Sequence, residues 1–85
     1  MKKYLNSVEF YLFKTNVSRP WDISRISPYL NGIVEYGKWS FDLEDDDKVL
    51  CLHCTPEIKP KVEHLMRVRG FTVEELHYLE NEVQG

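Results

Sequence analysis

Eighty-five residues with 42% hydrophobic, 13% aromatic and 29% charged side chains suit one globular domain: the chain is too short for two and too apolar for disorder. A domain of this size removes only roughly 60–65% of its unfolded surface from water, so its core is limited but workable. Eleven basic and 14 acidic side chains give a formal net charge of −3, which argues against binding duplex nucleic acid, where phosphate neutralisation needs a basic patch, and leaves a protein partner open.

At the N-terminus, Lys2 and Lys3 look like the start of an export signal, but Asn6, Ser7 and Glu9 interrupt any apolar stretch of the about 7–15 residues such a signal needs. No run approaches the roughly 18–20 apolar residues of a membrane-spanning helix. Two cysteines do not make a disulfide framework. The expectation is a cytoplasmic protein with no membrane role, in which Asn16-Val17-Ser18 is a chance match to a glycosylation sequon.

The first apolar run, Val8 to Val17, carries Phe10, Tyr11, Leu12 and Phe13 and has the length and composition of a strand. Ser18-Arg19-Pro20-Trp21-Asp22 reads as a turn, with Ser18 and Asp22 as candidate helix caps. Ile23, Ile26, Leu30 and Ile33 then recur at helical spacing. Pro28 lies inside this stripe and is expected to kink or shorten the helix. Asn31-Gly32 reads as its stop. From Tyr36 the period changes to two: Trp39, Phe41 and Leu43 alternate with Lys38, Ser40 and Asp42, as in a strand with one buried face. The acidic stretch Glu44 to Lys48 is a turn, and Val49 to Cys54 is a second strand, so the two form a hairpin. Thr55 and Pro56 mark a helix start. Ile58, Val62, Leu65 and Met66 carry the helix to a stop at Gly70, with Pro60 disturbing its first turn. Phe71, Val73 and Leu76 mark a last strand, and residues 80–85 are expected to fray.

The order strand, helix, hairpin, helix, strand predicts a ferredoxin-like βαββαβ α+β sandwich: a single domain over residues 1–85, its core about 8–78, with two helices on one face of a four-stranded antiparallel sheet. The chain shows no linker, low-complexity segment or internal repeat beyond the two βαβ halves.

From Val8 to Leu76 the chain resembles the heavy-metal-associated domain of copper chaperones and metal-transport ATPases. The resemblance rests on Ile23, Ile26 and Leu30, on Gly32-Ile33, on the Trp39/Phe41/Leu43 alternation, on Leu50 and Leu52, and on Leu65 through Gly70-Phe71. Phe13-Lys14-Thr15-Asn16 and Phe41-Asp42-Leu43-Glu44-Asp45 are similar to segments of short stand-alone bacterial relatives. These are mostly core positions and support fold better than activity. The family's metal loop, a Cys-x-x-Cys between first strand and first helix, falls here on Lys14 to Asp22, which contains no cysteine. Thr15, Asn16 and Ser18 offer hard ligands, poorly matched to Cu(I). The resemblance therefore implies the fold without the usual cofactor, and none is expected.

Cys51-Leu52-His53-Cys54 is the one metal-like motif, a candidate Cu(I) or Zn(II) site for a divergent carrier or sensor. On a strand, residues three apart put their Cα atoms roughly 10 Å apart on opposite faces, whereas a disulfide needs under about 7 Å. Leu50, Leu52 and Cys54 are assigned to the buried face, Cys51 and His53 to the other. With Phe10 and Leu12 assigned to the helices, Tyr11, Phe13, Val49, Cys51 and His53 form an exposed apolar patch on the two central strands, the signature of an interface for a protein partner or a homodimer. A one-residue register error exchanges the faces. RNA-recognition domains stack bases on those strands, but Lys48 to His53 lacks the required glycine and aromatics. Acylphosphatases share the strand order and bind phosphate in the loop holding Asn16 and Arg19, but their glycine-rich signature is missing. The acidic run 42–47 lacks calcium-loop spacing and reads as a solvated turn. His64 and His77 read as surface residues. The predicted function is non-enzymatic binding through the open sheet face.

Overall fold

The structure, a computed structural model, describes residues 8–34 and 38–76. Its elements follow the expected order: β1 (Glu9–Thr15), α1 (Pro20–Ile33), β2 (Lys38–Asp42), β3 (Val49–Cys54), α2 (Lys59–Val68) and β4 (Val73–Leu76). The strands form one antiparallel sheet in the order β2-β3-β1-β4. This is the ferredoxin-like α+β layout, with β1 and β3 at its centre. Tyr36, from which the alternation is read, His77 and the stretch 80–85 lie outside the described residues.

One face of the sheet meets both helices. Phe13 of β1 and Leu50, Leu52 and Cys54 of β3 pack with Ile26 and Leu30 of α1 and Val62, Leu65 and Met66 of α2. Most of these side chains are wholly removed from water, and each large aliphatic or aromatic one contributes on the order of 1.5–3 kcal/mol of transfer free energy. Trp39 and Phe41 of the edge strand, with Leu43 just beyond it, close the core, as their alternation predicts, and the Trp39 indole N–H donates to Asn31 Oδ1 on α1 at 2.9 Å.

The helix ends depart from expectation. Arg19, not Ser18 or Asp22, occupies the N-cap of α1 and makes no side-chain cap bond. Pro20 begins the helix instead, because its fixed φ suits the first turn and its missing N–H is not needed there. Asp22 sits in that first turn, where a negative charge favours the helix dipole. Pro28 does not shorten the helix: it lies on the exposed side, where water can serve the carbonyl it leaves unpaired. Nor does Gly32 stop it, since α1 continues to Ile33 and Val34 N–H bonds Leu30 O at 2.8 Å. Thr55 and Pro56 form a separate turn, with Ile58 N–H on Thr55 O at 3.0 Å, and α2 starts at Lys59 with Pro60 in its first turn.

Gly70 does end α2. At φ 93 it adopts the left-handed region, its N–H bonds Arg67 O at 3.0 Å, and Phe71 N–H bonds Met66 O at 2.9 Å. This pair of bonds is a Schellman closure. The β2–β3 turn is built from its acidic residues: Asp42 and Asp45 side chains accept from Glu44 N–H at 3.2 Å and Asp47 N–H at 2.8 Å, as solvated turn aspartates do.

Candidate functional site

Among the described residues no helix covers the other face of the sheet, and paired registers place that face residue by residue, because directly opposed residues share a face. One row across the strands holds Lys38, His53 and Phe10. The middle row holds Ser40, Cys51, Leu12 and Leu76, and the third holds Asp42, Val49, Lys14 and Glu74. Phe10 is 59% exposed and meets the exposed His53 ring edge-on, with centroids 6.0 Å apart. Leu12, Cys51 and Leu76 are half-buried. The result is an apolar centre with a basic flank at Lys38, an acidic one at Asp42 and the Lys14–Glu74 pair of positions beyond Val49.

This corrects the expected membership of the patch. Cys51 and His53 lie on the open face as anticipated, but Tyr11 and Phe13 do not. Phe13 is fully buried in the core and Tyr11 packs against it. Their places on the open face are taken by Leu12 and Phe10, so β1 is turned over by one residue. The cause lies at its end: Thr15 points inward, its hydroxyl donating to Lys48 O at 2.6 Å and accepting from Val17 N–H at 3.1 Å. That fixes Phe13 and Tyr11 on the same side. Val49 belongs to the open face by register but is only 7% exposed, so it adds little to a docking surface.

Cys51, His53 and Cys54 do not converge. The strand runs unbroken through Cys54, which sends Cys54 into the core while the other two face outward. Among the described residues no group of three His, Cys, Asp or Glu side chains is placed to hold a metal ion. Burial, with Glu57 nearby, pushes the Cys54 thiol above its ordinary pKa, which disfavours the thiolate a metal would need.

The β1–α1 loop is committed to structure. Asn16 Oδ1 accepts from Thr72 N–H at 2.9 Å and ties the loop to the chain entering β4. The Arg19 guanidinium lies over the Trp21 ring, 5.2 Å from its centroid.

On the helix side, Tyr11 neighbours an ion pair between Lys59 of α2 and Glu75 of β4; the Lys59 ammonium also sits 5.2 Å from the Tyr11 ring centroid. Burial raises the Tyr11 pKa, and its bond to Glu75 raises that of Lys59. The sequence reading missed this cross-link, whose partners are 16 residues apart in the chain. An apolar groove of about 520 Å³ also lies against α2 at His64, Leu65 and Val68 and reaches Ile33 at the end of α1. No helix among the described residues is long and apolar enough to cross a membrane.

Compared with protein-family models, with curated proteins and with solved structures, the chain finds no match.

Proposed function

We propose that this chain is a small non-enzymatic interaction module, built on a heavy-metal-associated-like scaffold without that family's metal ligands, which engages a protein through its open sheet face. The observation that carries the reading is Phe10: a large aromatic side chain, 59% exposed, held edge-on by His53 at the margin of an apolar row. Aromatic anchors of this kind dominate the energetics of protein interfaces, and an exposed apolar patch rimmed by charges is the usual form of a docking surface. The family resemblance supports the same reading from the other side, since the metal loop of that family has no counterpart in Lys14 to Asp22.

The test compares partner capture by the wild-type protein, by Phe10→Asp and by Val68→Asp, the last altering an exposed helix position remote from the open face. Loss of the captured protein with Phe10→Asp alone supports the reading. Loss with Val68→Asp alone moves the interface to the helix side and overturns it.

A further inference from the structure

Resting on the open-face reading, we propose that the protein which docks there is a second copy of this chain, packed sheet to sheet about a twofold axis that crosses the strands along the Ser40–Cys51–Leu12 row. Closed dimers require a self-complementary patch, and the three rows supply one. Rotation about that axis keeps each strand over its own counterpart and exchanges the outer rows. Lys38 then faces the partner subunit's Asp42, and Asp42 faces the partner's Lys38. Phe10 lies beneath the partner's Lys14, a cation over an aromatic face. Leu12 and Cys51 meet their own copies near the axis and place apolar groups at the centre of the contact.

The charges also choose between axes. A twofold axis parallel to the strands would exchange β2 with β4 and β3 with β1, setting Asp42 against the partner's Glu74. Like charges opposed in this way are unfavourable. Among the described residues, the cross-strand axis is the one that places opposite charges at the flanks. Facing sheets pack about 10 Å apart with their strands inclined by about 30°, a geometry allowed by a face that carries no helix among the described residues.

The contact is small. Four strands at about 4.8 Å and three rows spanning about 17 Å cover well under the ~800 Å² per partner of a standard interface. The dimer is therefore weak and concentration-dependent.

Sedimentation analysis from about 1 μM to about 1 mM, the range in which a weak contact populates both species, tests the proposal. The wild-type protein is expected to pass from monomer to dimer, and added salt is expected to shift it back, since the flanking pairs are screened. Lys38→Glu and Asp42→Lys should each weaken the dimer about tenfold, because each reversal acts at two symmetry-related places. The double reversal should restore it. Circular dichroism confirms that each variant is folded; should a reversal unfold the chain, the salt dependence of the wild-type dimer is the deciding measurement. A wild-type protein monomeric throughout, or a folded double reversal no better than either single one, overturns the twofold dimer. A dimer indifferent to salt overturns it equally. None of these outcomes touches the open-face reading itself, which the Phe10→Asp and Val68→Asp comparison decides separately.

Discussion

Thr15 donates its hydroxyl to the Lys48 carbonyl oxygen at 2.6 Å across 33 residues of sequence. Lys48 holds φ 50 at the end of the acidic turn, an uncommon conformation for a residue with a side chain, and its own ammonium reaches back to Leu43 O at 2.8 Å. The end of β1 and the start of β3 are thus locked together where the central pair leaves the sheet. The same hydroxyl accepts from the buried Val17 N–H. One small polar group therefore sets the parity of β1, and with it which aromatic side chains the helices cover.

That parity is directly testable. Phe13→Ala should destabilise the fold by about 3–5 kcal/mol, the range for emptying a buried aromatic site. Phe10→Ala should change stability by under about 1 kcal/mol, since Phe10 is mostly in water. Thr15→Val keeps the shape but strands the Val17 N–H and deprives the Lys48 carbonyl, at a cost of about 1–3 kcal/mol. Urea unfolding of the three variants measures all three values. Equal losses for Phe10→Ala and Phe13→Ala would refute the register.

The element order was legible because three periodic signals survive in the sequence: the Ile23/Ile26/Leu30 stripe, the Trp39/Phe41/Leu43 alternation and the Val62/Leu65/Met66 stripe all pack where their spacing sends them. Gly70 was legible as well, since a helix end in the left-handed region favours glycine. The face of β1 was not legible from apolar content, because Phe10, Tyr11, Leu12 and Phe13 are apolar on both sides. Lys14 held the answer. It is exposed and pairs with Asp47 at 3.8 Å, and in a strand Phe10 and Leu12 share its side. The Lys59–Glu75 pair had no local signal, since it depends on where α2 settles over β4.

The two described glycines should respond in opposite directions to alanine. An added Cβ meets nothing within 4 Å at either Gly32 or Gly70, so sterics with neighbours play no part. Gly70 sits at φ 93, where a side chain is strained, and Gly70→Ala should cost about 1–2 kcal/mol. Gly32 lies within α1, and Gly32→Ala should stabilise by about 0.5–1 kcal/mol through helix propensity and a less free unfolded chain. Thermal melts of the two variants should move in opposite senses. A rise for Gly70→Ala would contradict the Schellman closure.

The arrangement of the cysteines predicts separate behaviour for each. Cys51 is half-buried on the open face, whereas Cys54 is 3% exposed and has a thiol pKa raised by burial. A thiol reagent should therefore label Cys51 in a fast phase and Cys54 only as the fold opens, and Cys51→Ser should abolish the fast phase. Because the two thiols face opposite sides of the sheet, Zn(II) or Cu(I) titration of reduced protein should give the same result before and after the combined Cys51→Ser and Cys54→Ser change. Tight binding near one equivalent that the double variant loses would mean that β3 ends before His53 and that the metal-carrier alternative is correct.

Alkali should weaken the fold, and the sign follows from three groups. Burial raises the pKa of Cys54 and of Tyr11, and the bond to Glu75 raises that of Lys59. In each case the native state holds its proton to higher pH than the unfolded chain does, so the unfolded state binds fewer protons and stability falls as pH rises. The contribution of each group is complete below its unfolded pKa, about 8.5 for cysteine, 10 for tyrosine and 10.4 for lysine, and is lost as pH climbs through the raised native value. Urea midpoints should thus hold level up to about pH 8 and decline beyond it, with cysteine acting first. Cys54→Ala removes the earliest of the three and should move the onset upward by about one pH unit or more, toward the tyrosine and lysine range. A wild-type midpoint unchanged to about pH 10.5, some two units above the unfolded cysteine value, would show that the buried Cys54 thiol is not linked to folding as this geometry requires.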